Sequence, residues 1–392
     1  MSQSHFAIIN EIMLHYRDDG SGTPIIFANS LGSDLRIWDA VGSTLGQTHR
    51  IIRYDKRGHG LSDCPPAPYS IRDHANDLRG LLDHLEIDQA VVVGISVGGQ
   101  IALDFALEHP ERVLGLVLCD TAAKLGSAEL WNTRITELRT NGFANINDAI
   151  LSRWFAPNYS VTNPASYRGH GNMLTRTPLE GYIGTCEALR DFDRVADLAH
   201  VQMPTLVLCG AEDGASPPAL VSQLADAIPN AQFALIEDAG HLPCVEQPNE
   251  TAAKIAEFLS SLTSSPQPPA SKLQTGMTIR RSVLGNAHVN RAEANKTPFD
   301  ADFQRFITEF AWGTVWAGEH IDKQTRHMVT IAILAALGKE HETAMHIRAT
   351  QNTGVTPEQI KDVFHHVAIY AGVPAANTAF GIAKKVYAKL ED

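Results

Sequence analysis

Ala90-Val91-Val92-Val93-Gly94-Ile95-Ser96-Val97-Gly98 sets an apolar run directly before a Gly-x-Ser-x-Gly. The run before the serine suits a strand, and the apolar stretch from Gln100 to Leu107 suits a helix. Ser96 is therefore expected on a sharp turn from strand to helix, with its hydroxyl lifted away from a sheet. The N-terminus of the following helix would offer free N–H groups to a developing oxyanion. Glycine is needed on both sides, because a side chain there would collide with the adjacent strand or helix. Gly-x-Ser-x-Gly alone is a frequent chance match; its flanks make it specific here.

Outward from this point, β-type runs at 24–28, 50–54, 89–93, 113–119, 205–209 and 232–236 alternate with amphipathic segments such as 71–85 and 219–227. Alternation of this kind predicts an α/β domain with a mainly parallel sheet covered by helices. Residues 121–200 break the rhythm with a largely helical pattern containing Trp131 and Trp154. An insertion there would lie over the C-terminal ends of the strands, where such sheets bind ligands, and reads as a cap.

A chain of 392 residues suggests two units. Ser260 to Gly276, SSLTSSPQPPASKLQTG, has the composition of an exposed, semi-extended linker. This gives an N-terminal domain over 1–262, a linker over 263–276 and a C-terminal domain over 277–392. The second domain reads as all-α, with helix-period apolar spacing at 302–312, 322–337, 341–353 and 357–371. The net charge of −12 argues against nucleic acid. No apolar run is long enough to span a membrane and no secretion signal is evident, and five scattered cysteines without CxxC spacing suit a reducing cytoplasm.

A nucleophilic serine needs a base, and the base an orienting acid. Asp213, in Cys209-Gly210-Ala211-Glu212-Asp213, and His241, in Asp238-Ala239-Gly240-His241-Leu242-Pro243, each follow an expected strand. Glu212 competes with Asp213 for the acid role. The order Ser, Asp, His is that of α/β-hydrolases. Asn29-Ser30-Leu31-Gly32 occupies the position of a second oxyanion loop, so the N–H groups of Leu31 and Val97 are the expected oxyanion hole. The run Arg53-Tyr54-Asp55-Lys56-Arg57-Gly58-His59-Gly60 reads as a structural turn beside that loop. Over about 262 residues, NSLG, RYDKRGHGLSD, GISVGG, CGAEDGASPP and DAGHLPCVEQP resemble the α/β-hydrolases, and more narrowly the 3-oxoadipate enol-lactonases.

In the second domain Glu342 and His346, spaced i, i+4, share a helix face, as an exposed ion pair or as a working pair. Arg326 adjoins an apolar helical stretch, either at its exposed start or buried against an acid. His288 and Arg291 lie in a polar stretch, GNAHVNRA. GNAHV, TPF, AWG, Glu342…His346-Ile347-Arg348, NTGVT and AIYAGVPAAN resemble the 4-carboxymuconolactone decarboxylases over about 277–390. That family usually has Arg-Ser where this chain has Arg326-His327. Related peroxidases need a CxxC, and this domain has no cysteine.

Together the resemblances imply a fused, bifunctional enzyme of protocatechuate breakdown. It would decarboxylate 4-carboxymuconolactone and hydrolyse the resulting enol-lactone to 3-oxoadipate, with no cofactor and no metal. His346, oriented by Glu342, would supply the proton to carbon, with His288 as its alternative; Arg326 and Arg291 would hold carboxylates or the enolate oxygen. On the lactonase side Arg134, Lys124 and Arg190 are candidates for the substrate's acetate group, and Trp131 for a pocket wall. A homo-oligomer through the C-terminal domain is expected, since its large apolar residues exceed what a small bundle buries. The alternative is a general carboxylesterase or perhydrolase carrying a C-terminal oligomerisation module.

Overall fold

The computed structural model describes residues 3–264 and 272–390. The chain divides into two compact units, Met1–Pro266 and Gln267–Asp392. Among the described residues, no helix is long and apolar enough to cross a membrane.

The first unit is an eight-stranded sheet: β1 (His5–Ile9), β2 (Ile12–Gly20), β3 (Pro24–Ala28), β4 (Arg50–Tyr54), β5 (Ala90–Ile95), β6 (Val113–Cys119), β7 (Thr205–Gly210) and β8 (Gln232–Ile236). Its spatial order is β1-β2-β4-β3-β5-β6-β7-β8. Strands β3 to β8 pair in parallel, while β1 and β2 are antiparallel additions at one edge. Central β5 is buried along its whole length, which explains its unbroken apolar sequence. The β1–β2 hairpin is absent from the sequence reading. Its turn places Asn10 and Glu11 both at positive φ without the glycine that usually marks such turns.

Between β6 and β7 lie five helices, from Ala128–Asn141 to Leu179–Asp191, which form the expected helical cap. They pack into the main core through Trp131, Leu138, Trp154 and Tyr182.

The second unit is entirely helical among its described residues. Its core gathers Ile331, Ile347, Ile360, Phe364 and Val367 with a row of alanines, Ala376, Ala379 and Ala383. Three of its helices are not anticipated as such from the sequence: Lys272–Leu284, Asn286–Ala294 and Val373–Ala388. The expected linker is also narrower than its composition suggests. Helix Pro248–Ser264 runs into it from one side and Lys272–Leu284 from the other, and the remainder, 265–271, lies outside the described residues.

Gly276 belongs to a tight helix crossing rather than to a linker. A Cβ on Gly276 would come within 1.9 Å of the Thr308 carbonyl oxygen, and one on Gly313 within 1.9 Å of the Lys272 carbonyl oxygen. Thr308–Val315 is a π-helix, wider than an α-helix, and it crosses Lys272–Leu284 at backbone contact. Because the obstructing atoms are main chain, Gly276→Ala is expected to destabilise the helical unit by about 1–3 kcal/mol, the usual cost of overpacking. Urea unfolding followed by tryptophan fluorescence checks this; an unchanged midpoint contradicts the close crossing.

Candidate active sites

Ser96 has φ +59° and ψ −124°, a left-handed conformation that few residues other than glycine adopt. The turn is held by two hydrogen bonds. Ser96 N–H donates to Cys119 O at 2.9 Å, and Thr121 Oγ1 donates to Ser96 O at 2.7 Å. A Cβ on Gly94 would meet Gly98 O at 2.1 Å, and one on Gly98 would meet Ala28 O at 2.2 Å. Val97 opens helix Val97–Glu108, so its N–H has no acceptor one turn earlier within the helix.

Loops at the ends of β7 and β8 bring up the acid and the base. His241 Nδ1 lies 2.9 Å from Asp213 Oδ2, and both side chains are buried. Asp213 Oδ1 accepts from the N–H groups of Ala215 and Ser216 at 2.7 and 3.0 Å, which fixes the carboxylate. Glu212 is exposed and takes no part in this contact. Ser96, His241, Ser30 and Leu31 line one cavity, of about 110 Å³.

The charged run after β4 braces the oxyanion loop. Lys56 Nζ donates to Ser30 O at 2.6 Å, and Asp55 accepts from Leu35 N–H at 2.8 Å. Gly32 N–H donates to His59 Nε2 at 3.0 Å. Burial pushes His59 well below its ordinary pKa, so its ring is neutral and Nε2 can accept.

The cap supplies the rest of the cavity wall: Trp131, Arg134, Arg153, Trp154 and Tyr182. Trp131 Nε1 donates to Leu125 O at 2.6 Å, and the Arg134 guanidinium lies 5.4 Å from the Trp131 ring centroid. The three cap cations named from sequence now separate. Lys124 pairs with Asp193 and Arg190 with Asp191, whereas Arg134 lines the cavity and has no carboxylate partner among the described residues. Arg153 shares both properties and is missed from sequence, where nothing marks which face of its helix meets the cavity.

Asp120 is a further residue missed. It follows β6, is fully buried, and accepts from Gly210 N–H at 2.8 Å. Burial, and then the nearby charge of Asp213, raise its pKa well above its ordinary value.

In the second unit His346 is buried, and its hydrogen-bond partner is His327. His327 Nε2 lies 3.0 Å from His346 Nδ1, and His327 Nδ1 lies 2.7 Å from Thr353 Oγ1. Trp312 and Trp316 both stack with the His346 ring, at 6.5 and 6.3 Å between centroids. Both tryptophans come from the π-helix and its C-cap, a geometry frequent at functional sites. Glu342 does not orient His346 as expected from the i, i+4 spacing. It is exposed and acts on His346 only through its charge.

Arg326 is likewise otherwise engaged. Its guanidinium donates to the carbonyls of Val315, Gly318 and Ile321, at 2.6, 2.7 and 3.1 Å, and ties down the loop after the π-helix. His288 is half-buried and close enough to lower the pKa of His346. Around His288 stand the cations Arg291, Arg280 and Arg348. Burial, then the neighbouring His288, hold His346 at a pKa of about 4; burial, then His346, hold His327 at about 4.

Residues 25–254 match the Alpha/beta hydrolase family, and residues 301–385 the Carboxymuconolactone decarboxylase family. The chain belongs to the alpha/beta hydrolase family, with a carboxymuconolactone decarboxylase family domain behind it. It is 35% identical over 240 residues to a 3-oxoadipate enol-lactonase of Acinetobacter baylyi, covering 61% of this chain and 90% of that one. A 4-carboxymuconolactone decarboxylase of the same species is 45% identical over 119 residues, covering 30% of this chain and 89% of that one. The crystal structure of the enol-lactonase from Burkholderia xenovorans superposes with a TM-score of 0.64 at 35% identity, covering 65% of this chain and 100% of that one.

The two depressed histidines set a pH dependence. An unfolded histidine titrates near about 6.5, so below that value the unfolded chain takes up protons that the folded pair refuses. The stability these groups contribute is complete above about pH 6.5 and is lost as pH falls towards 4. The denaturation midpoint of the helical unit should fall between pH 7.5 and pH 5, and fall less in His327→Gln. Equal slopes in the two proteins would contradict the burial of a neutral pair.

Proposed function

We propose that the chain is a bifunctional enzyme of protocatechuate breakdown. Residues 277–392 decarboxylate 4-carboxymuconolactone, and residues 1–262 hydrolyse the resulting 3-oxoadipate enol-lactone to 3-oxoadipate. What supports the reading most is that each unit carries its own polar constellation among the described residues, and that the two units resemble enzymes named for consecutive compounds. The five cysteines are free, as in a reducing cytoplasm.

On the lactonase side Ser96 attacks the lactone carbonyl while His241 takes its proton, held in orientation by Asp213. The N–H groups of Leu31 and Val97 receive the oxyanion; each such donor is typically worth about 3 kcal/mol. Ring opening expels an enolate, which His241 protonates and which tautomerises to the ketone. Water then releases the acyl group. Arg134 and Arg153, which line the cavity without a carboxylate partner among the described residues, hold the acetate carboxylate, with Trp131 as a wall.

On the decarboxylase side the carbon–carbon bond to the leaving carboxylate breaks, and its electron pair moves through the conjugated double bond onto the lactone carbonyl oxygen. The substrate is its own electron sink. His346 delivers the proton to carbon, and the cations grouped at His288, Arg291 foremost, hold the substrate's carboxylates.

The Ser96→Ala variant tests the division of labour. Given 4-carboxymuconolactone, it should release CO₂ at the wild-type rate and accumulate enol-lactone. Undiminished 3-oxoadipate, after correction for spontaneous hydrolysis, would contradict the serine mechanism. Arg134→Gln should raise the KM for enol-lactone about tenfold or more, the scale of one charged hydrogen bond, while leaving simple aryl-ester hydrolysis intact.

Assembly is proposed on the apolar surface of the helical unit. Phe299 is 99% exposed and Tyr370 86%, and Phe303, Phe306, Phe310 and Ile369 are also exposed. Covering such residues is what a homo-oligomer would do. Light scattering should find the full chain oligomeric, and Phe306→Asp with Phe310→Asp should lower its mass. A monomeric wild-type chain at micromolar concentration would contradict this.

A further inference from the structure

His346 is placed by its neighbours with little freedom. Two indole rings stack with it, so its ring plane is set by Trp312 and Trp316. Its hydrogen-bond contact within the described residues is Nδ1 to His327 Nε2. His327 has no exposed surface, so water does not compete for that bond.

Counting donors and acceptors along the row assigns the protons. The Thr353 hydroxyl lies 3.3 Å from Thr350 O, and its hydrogen can go there. Thr353 Oγ1 then accepts from His327 Nδ1–H at 2.7 Å. His327 Nε2 is left bare and accepts from His346 Nδ1–H at 3.0 Å. In this order every N–H and O–H of the row has an acceptor. The reverse order would take the Thr353 hydrogen away from Thr350 O and leave His346 with its proton on Nε2.

We infer that His327 is a positioning residue: it fixes His346 as the Nδ1–H tautomer, so that His346 presents a bare Nε2 to receive the proton that decarboxylation consumes. The tautomer rests on hydrogen bonds alone; its use rests on the decarboxylase reading above. The balance is one carboxylate and one proton in, one C–H bond and CO₂ out. Solvent supplies the proton to Nε2, and His346 passes it to the carbon α to the lactone carbonyl, so that the double bond is left at the carbon that has lost CO₂. The ring then returns to the same neutral tautomer, still bonded to His327. In the free protein burial and the cation-flanked His288 keep the ring neutral, with exposed Glu342 opposing them. The substrate's carboxylates, on entering beside Arg291, Arg280, Arg348 and His341, bring negative charge near the ring and allow loading.

The test is nitrogen-15 NMR on the full chain with labelled histidines, assigning His346 by its loss in His346→Gln. The expected spectrum has His346 with an unprotonated Nε2 and a protonated Nδ1 at neutral pH. His327→Leu should release the ring toward the Nε2–H form and lower decarboxylation kcat about tenfold or more, as loss of an orienting partner does, with KM nearly unchanged. His327→Gln, whose amide oxygen can accept from Nδ1–H, should restore both. Lactone hydrolysis should be wild-type in all three. An Nε2–H tautomer in the wild type, or a His327→Leu variant with unchanged spectrum and rate, overturns the inference. Should His327→Leu fail to fold, the wild-type and His327→Gln spectra still decide. A wild type that shows the expected tautomer but releases no CO₂ refutes the decarboxylase reading and leaves the tautomer standing.

Discussion

The left-handed turn at Ser96 is the constraint on which the first unit depends. A non-glycine residue at φ +59° costs on the order of 1–3 kcal/mol, and it persists only where its surroundings over-determine it. Here a fully buried central strand leads into the turn, and a bond to the neighbouring strand's Cys119 holds its N–H. Glycines 94 and 98 allow main chain to approach main chain where no Cβ would fit. From that point the remaining geometry follows. Loops from β7 and β8 deliver Asp213 and His241 to the same sheet end, the charged run after β4 braces the Asn29–Gly32 loop, and the cap closes over them.

The helical unit rests on a different balance. Its polar centre is a pair of imidazoles kept neutral by burial, with aromatic rings on one and a threonine behind the other. Asp213 gives His241 a fixed anionic partner. His346 has no such partner among the described residues, and in the proposed reaction its positive charge appears only when the substrate brings its carboxylates. That difference suits the two chemistries: ester cleavage needs a base that becomes an acid within one cycle, whereas decarboxylation needs one proton from solvent per turnover.

The first unit was largely legible because its chemistry is written in contiguous motifs at strand ends. Gly94 to Gly98, Asp213 and His241 each follow an apolar run, and the run-and-loop pattern is local. Its misses have physical causes. The β1–β2 hairpin turns through Asn10 and Glu11 rather than a glycine, and Asp120 and Arg153 become notable only through neighbours distant in sequence. The helical unit was less legible. The i, i+4 spacing pointed from His346 to Glu342, but the bonding partner lies nineteen positions earlier, on the adjacent helix. Arg326 looked like an anion binder and is occupied by three carbonyls. Gly276, in a stretch of linker-like composition, is a packing residue, because a glycine at a helix crossing and a glycine in a linker look alike without the partner helix.

The central claim is that one chain carries two consecutive reactions. The most direct measurement is to supply 4-carboxymuconolactone to the purified wild-type protein, with no added cofactor, and to follow CO₂ and 3-oxoadipate together. The account predicts both products in a one-to-one ratio, with enol-lactone as a transient intermediate. Hydrolysis of enol-lactone without any CO₂ release from 4-carboxymuconolactone, or release of CO₂ with enol-lactone left to decay at its spontaneous rate, would contradict it.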